Sequence, residues 1–548
     1  MKRNLPIRLA AVIVAGCVPV FAQSNAVPGL DAALEDTWNL DMFTRGGTYP
    51  NGVGAMGAWT TICNPGTSAI QFQAAMDPHH AFIHYLVVRE SNGRFEEISN
   101  RGYVKHTFGS SNDPSSCGTC AGTGRFSWVE IGCSDTYAAS QACDHFNLGP
   151  PEEVDPWLGT WVSTCSLFDR GDPPVAPSSQ CNNQRSLTQT QANLLNGTIH
   201  NQMLVRDQDL LTPGATYWYQ SAYNVPLEPD ANRGNNMGSR SVSFTWNGTT
   251  WVTADTSTYL QGTILQRWSG SSLSSGGNGN DDGRFYVAVK VTGPTNGRYH
   301  YEYAVQNRDN KRGMGALRIP VCPSATVSGF GFHDIDQDLL NNWTGSKVGG
   351  EIVFTTGSSA NPQRWNSIFN FWFDCDAAPI TGSSLSLDQY DLGPGAATVF
   401  VTSTAPGGLY NENLGPGCGI PNAPTLFAAG TPAQATLPNA SFELRTSNAL
   451  PFSIVVFALS TVPGTSLVAP GCTVYSGDVG TVQLLGYEAT DVSGLAIHSQ
   501  PVPNNPVFEG MTFDLQAANL VTTGSWLGSI NLSNGLRVRA GNLLTGCP

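Results

Sequence analysis

The chain has 548 residues with 27 basic against 41 acidic side chains, a formal charge of −14, and such an acidic surface repels phosphate backbones and anionic lipid, which excludes nucleic acid as a partner class. The length exceeds what one hydrophobic core organises, so roughly two to four domains are expected. Only 12% of residues are charged, while 60 glycines, 35 prolines and 10% aromatics predict short strands joined by tight turns.

The N-terminus opens with Lys2, Arg3 and Arg8, an apolar run from Leu9 to Gly16, and Val20-Phe21-Ala22 before Gln23. That order predicts a secretory signal peptide over residues 1–22, too short for a permanent membrane span. Val14-Ala15-Gly16-Cys17 also has the form read by a lipoprotein peptidase, so lipidation of Cys17 would tether the chain, whereas cleavage after Ala22 would release it. Release is the preferred reading, because Pro19 to Ala22 forms an ordinary cleavage exit. Removing the leader leaves 24 basic against 41 acidic residues, a charge of −17, and twelve cysteines from Cys63 to Cys547. In an oxidising compartment these read as a set of disulfides whose pairing is not legible from sequence.

Leu30 to Leu40 is the one fair helical candidate. Ala81 to Ile98 reads as a hairpin, AFIHYLVVR and RFEEI around Ser91-Asn92-Gly93, and SVSFTW with TTWVTA makes a second around Asn247-Gly248. GATYWYQSAYNV puts Tyr217, Tyr219, Ser221 and Tyr223 on one strand face; RYHYEYAV puts Tyr299, Tyr301 and Tyr303 opposite His300 and Glu302. The predicted fold is all-β and multi-domain, with antiparallel β-sandwich or jelly-roll-like domains. Composition divides it into a Cys/His-rich domain over 23–240, an aromatic Gly/Asn-rich domain over 241–405, a linker over 406–416 and a C-terminal β-sandwich module over 417–548.

The runs GRFEEISNRGYVKHTF, IGCSDTY, DDGRFYVAVKVTGP, YHYEYAVQNRDNKRG and NFWFDCDAAP, with GPGCGIPNAPTLFAAGTP, LVAPGCTVY and SNGLRVRAG in the tail, resemble uncharacterised multi-domain exported β-rich proteins of environmental bacteria. The resemblance implies a shared modular β architecture with a recurrent C-terminal β-sandwich module, and no particular activity.

Gly52 to Gly57 matches GxGxxG, but Tyr49-Pro50-Asn51 precedes it instead of a strand and no helix pattern follows, so no nucleotide cofactor is expected. Cys117-Gly118-Thr119-Cys120 has donors for zinc or copper, yet outside the cytoplasm disulfides are the ordinary fate of such thiols. His79, His80, His84 and His106 are the densest imidazole group. A transition-metal site, copper or zinc, is drawn from His79, His80, His106 and Asp135. On a strand His80 and His84 would lie about 13 Å apart, and His106 two strands over from Val87, about 10 Å sideways, so convergence needs inward-folding loops. Asp334, Asp336 and Asp338 alternate as calcium ligands do, although Leu339 and Gly345 break the EF-hand pattern. No GxSxG elbow or HExxH motif occurs.

These features point to an exported surface or extracellular binding protein whose ligand is a glycan, polymer or envelope component. The alternatives are a metal-dependent extracellular oxidase or hydrolase using the first domain's histidines, and a cell-envelope structural protein.

Overall fold

A computed structural model describes residues 26–541 except 75, 123, 143–146, 170–180, 189, 192–198, 200–201, 278–282, 323–324, 358–360, 394, 407–410, 431–434, 476, 478–481 and 509–510. The proposed leader with Cys17 and Ala22 lies outside these residues. Strands dominate and every paired strand runs antiparallel, as expected. Among the described residues no helix is long and apolar enough to cross a membrane.

Three pairs of facing sheets follow one another along the chain. In the first, a sheet built on Ala33–Gly46 and Val53–Cys63 packs Leu34, Leu40, Met56 and Ile62 against Ile83, Tyr85, Tyr217, Tyr219 and Tyr223 from a sheet built on Phe82–Ser91, Thr216–Asn224 and Met237–Trp246. In the second, Phe285, Tyr301, Tyr303, Phe371 and Phe373 meet Leu317, Phe354, Leu387 and Val401. In the tail, Val455, Phe457, Leu515 and Val538 meet Leu426, Leu444 and Ala496. Burying each large side chain contributes roughly 1.5–3 kcal/mol, so each pair has a core of its own.

The predicted hairpins form. Asn92 and Gly93, at φ 54° and 86°, turn Phe82–Ser91 into Arg94–Glu97, and Trp246 pairs with Trp251 across the Asn247-Gly248 loop. The tyrosine faces point into the two cores, leaving His300 and Glu302 on the opposite face. The helix expected over Leu30 to Leu40 is instead the strand Ala33–Gly46. Register shifts at Leu34/Asp36, Trp38/Leu40 and Met42/Thr44 insert extra residues, which breaks the alternation, so that Leu34, Thr37 and Leu40 are buried in place of every second residue.

The strand Met237–Trp246 runs across residue 240, and its neighbours Trp251–Asp255 and Leu260–Gln261 belong to the same sheet. Asn411–Gly415, inside the expected linker, pairs with Gly535–Arg539 in the tail sheet. The first and second sheet pairs share a buried seam in which Leu86, Val88 and Phe95 meet Ala288, Ala304 and Ile368. Asn370 donates to the Phe95 carbonyl at 3.0 Å, and the indole of Trp365 donates to the Pro151 carbonyl at 3.1 Å.

Disulfides join Cys63 to Cys117, Cys120 to Cys133, Cys165 to Cys181 and Cys418 to Cys472, and Cys322 is also disulfide-bonded. Cys117 and Cys120 are therefore committed to different partners instead of forming a metal clamp or a redox pair. Cys375 departs from the expected set: it is a buried free thiol, pushed up to about 11 by burial and therefore a weak nucleophile.

Candidate functional site

Of the residues drawn into the transition-metal site, the fold brings His80 and His106 together. Val104–His106 does not continue the meander beyond Arg94–Glu97. It pairs with Phe82 and Ile83 on the same edge of Phe82–Ser91, lower down the strand, so His106 sits directly beside Phe82. His80 Nε2 and His106 Nδ1 are 2.9 Å apart, and Phe82, Trp161 and Phe168 enclose the pair. Burial holds His80 down at about 3 and His106 well below the usual imidazole range, with Lys105 opposing charge on both. Two neutral rings in an aromatic box make one ring–ring hydrogen bond, which satisfies the only polar atoms they direct at each other.

His79 is half-exposed and bonded to Asp77 at 2.9 Å. Asp135 lies on Cys133–Tyr137 opposite Ile62, where it accepts from the Ser111 amide and hydroxyl at 2.9 and 3.1 Å, and burial pushes it up to about 6. Among the described residues, no three His, Cys, Asp or Glu side chains are grouped as a metal ion requires.

The histidine pair has a pH signature. Both imidazoles are depressed in the folded state, so their contribution to stability is complete above about 6.5 and is lost as pH falls below it, at about 1.4 kcal/mol per pH unit per ring. Replacing both rings together, His80→Leu with His106→Leu, is expected to flatten the decline of thermal stability between pH 6 and 4. An unchanged acid slope in differential scanning calorimetry would show that the pair stays out of the titration.

Asp334, Asp336 and Asp338 form a ladder of turns. Each carboxylate accepts the backbone N–H two residues on, from Asp336 at 3.0 Å, Asp338 at 2.7 Å and Leu340 at 3.0 Å, while Asn341 donates to Asp336 at 3.0 Å and Asn361 to Asp334 at 2.5 Å. The alternation that reads as a calcium signature thus has a local cause, a repeated Asx turn.

A polar concavity lies elsewhere, between the second sheet pair and the tail. It encloses about 420 Å³ and is lined by Arg318, Glu351, Asp388, Asp514 and Arg537, with Ser386, Thr398, Thr465 and Phe400. Period-two alternation brings these side chains to it: Arg318 sits between the inward residues Leu317 and Ile319, and Arg537 between Leu536 and Val538. Charges alternate along its floor. Asp388 accepts from Arg318 Nε at 2.6 Å and from Thr398 at 2.8 Å, and Asp514 takes Arg537 through two bonds of 2.7 and 3.0 Å. Glu351 stands between the two guanidiniums, 3.4 Å from Arg318 and 3.8 Å from Arg537. Burial pushes the Asp514 carboxyl up, with Arg537 opposing the shift.

No family model and no curated protein matches the chain. Among solved structures, it is similar to BcpA, the major pilin subunit of Bacillus cereus, at 8% identity over 63% of this chain and 87% of that one, with a TM-score of 0.16. A variant form of the same pilin gives 10% identity over 61% and 81%, with a TM-score of 0.15. Escherichia coli alpha-2-macroglobulin activated by porcine elastase gives 9% identity over 94% of this chain and 41% of that one, also with a TM-score of 0.15.

Proposed function

We propose that this chain is an exported binding protein of the cell surface or extracellular space, and that it holds a neutral, hydroxyl-rich ligand, a glycan segment, in the cleft around Glu351. The observation that carries this reading is the alternating floor of Asp388, Arg318, Glu351, Arg537 and Asp514 in an open space of about 420 Å³. A sugar hydroxyl donates to a carboxylate and accepts from a guanidinium at once, so neighbouring hydroxyls match alternating charges. Glu351 makes only long contacts to its arginines and can turn to a ligand without breaking a tight pair. A phosphate or sulfate would instead face three carboxylates against two guanidiniums. The disulfides fit an oxidising compartment.

Glu351→Ala is expected to weaken oligosaccharide binding about 10-fold or more, the loss of one charge-assisted hydrogen bond, while leaving the melting temperature nearly unchanged. Calorimetric titration with a panel of neutral oligosaccharides reads this directly. Equal affinity in the variant would remove the cleft from the binding account.

A further inference from the structure

A second surface, far along the chain from the cleft residues, has its own ligand chemistry. On Ala33–Gly46 and Val53–Cys63, Thr37 reaches inward to the Ser221 hydroxyl at 2.7 Å and Thr60 to the Tyr223 hydroxyl at 2.8 Å. Strand alternation then turns the adjacent Trp38 and Trp59 outward. The two are register partners with ring centroids 5.8 Å apart and planes 23° from parallel, and both remain partly exposed. Their border is polar: Thr61 and Thr136 hold their hydroxyls 2.7 Å apart at the surface, and the Asp41 carboxyl is hydrogen-bonded to Trp59.

The geometry points to a carbohydrate-stacking site at Trp38 and Trp59 that takes the C–H face of a neutral pyranose in a polysaccharide. Aromatic rings offer a negative face to polarised C–H groups, while the surrounding hydroxyls and carboxyl pair with the equatorial hydroxyls of the same ring. The local charge chooses among occupants. Arg240, which donates to the carbonyl of Thr37 next to Trp38, is engaged by Asp36 through bonds of 2.7 and 3.0 Å and by the Ser257 carbonyl at 3.0 Å, so its charge is already matched and Asp41 at the rim of the indoles disfavours an anionic polymer. A protein partner would need a broad apolar patch, whereas the two indoles are rimmed by Thr61, Thr136 and Asp41. This site goes beyond the cleft reading and does not depend on it.

Depletion binding to microcrystalline cellulose, with alginate beads as the anionic contrast, tests the assignment. The full chain is expected to bind cellulose in preference to alginate. Trp38→Ala with Trp59→Ala should lower the cellulose partition constant about 10-fold, while Trp38→Phe with Trp59→Phe keeps most of it. The phenylalanine pair maintains the cross-strand packing if the alanine pair loosens the hairpin. Equal retention by the alanine pair below its melting temperature, equal binding to alginate, or no retention of the full chain on cellulose would each overturn the proposal. Loss of cellulose binding in Glu351→Ala with retention in the alanine pair would assign the contact to the cleft instead.

Discussion

Replacing Asp309 with alanine is expected to cost about 3–5 kcal/mol of stability, the largest effect of any single polar substitution considered. Asp309 is 3% exposed and lies where the first and second sheet pairs meet. Its carboxylate accepts from Arg233 at 2.8 Å, from Arg308 at 3.0 Å and from the Arg284 amide at 2.9 Å. Arg233 is itself 4% exposed, held by the Glu228 carbonyl at 3.0 and 2.8 Å and seated over the Trp157 ring. Without Asp309 the buried Arg233 loses its carboxylate while Arg308 keeps Asp230, and the cost is that of a buried charge losing its counter-charge more than of a lost contact. Urea unfolding followed by intrinsic fluorescence should show the midpoint falling for both sheet pairs together. A loss below about 1 kcal/mol would place this cluster with the weak surface pairs, of which Arg445 with Glu443 is the internal comparison.

Glu97→Gln carries the second large effect, and its sign depends on pH. Glu97 is fully buried, accepts from the Ile368 amide at 2.6 Å and from the Ser99 hydroxyl at 3.2 Å, and is pushed up to about 8 by burial. Its folded value stands above the unfolded value of 4.5, so the folded chain keeps a proton that the unfolded chain releases. The contribution is complete below about 4.5 and is lost as pH rises toward about 8, at about 1.4 kcal/mol per pH unit. Glutamine has the same shape and does not titrate. The variant should therefore gain on the wild type steadily across that window, reaching several kcal/mol by pH 8.5. Glu228, pushed up to about 7 by burial, acts in the same sense, while the buried histidines act in the opposite one below about 6.5. Melting curves from pH 4.5 to 8.5 measure the difference, and a constant offset between the two proteins would contradict an ionisable buried Glu97.

What was legible in the sequence was what local chemistry decides. Asn92-Gly93 takes the positive backbone angles of a tight turn, Gly248 takes one at φ 98° in the loop between Trp246 and Trp251, and alternating tyrosines mark which strand face is buried. Leu30 to Leu40 misled because two bulges, at Leu34/Asp36 and Trp38/Leu40, disguised a strand's period. His106 was placed too far from His80 because nothing local says that the chain leaves one half of a strand edge and returns to the other half. The cleft was invisible for a stronger reason: Arg318, Glu351, Asp388, Asp514 and Arg537 come from five strands, and each alone reads as an ordinary solvated charge. The nearest sequence signal is a charged residue between two inward apolar ones, as at Arg318 and Arg537, and that pattern marks any half-buried strand.

The folded protein is expected to bind a neutral glycan without transforming it. Equilibrium titration with neutral oligosaccharides, monitored in the same vessel for newly released reducing ends, is the direct measurement. Saturable binding with no release, weakened by Glu351→Ala, is the predicted result; release of sugar during incubation, or no binding across the panel, would contradict it.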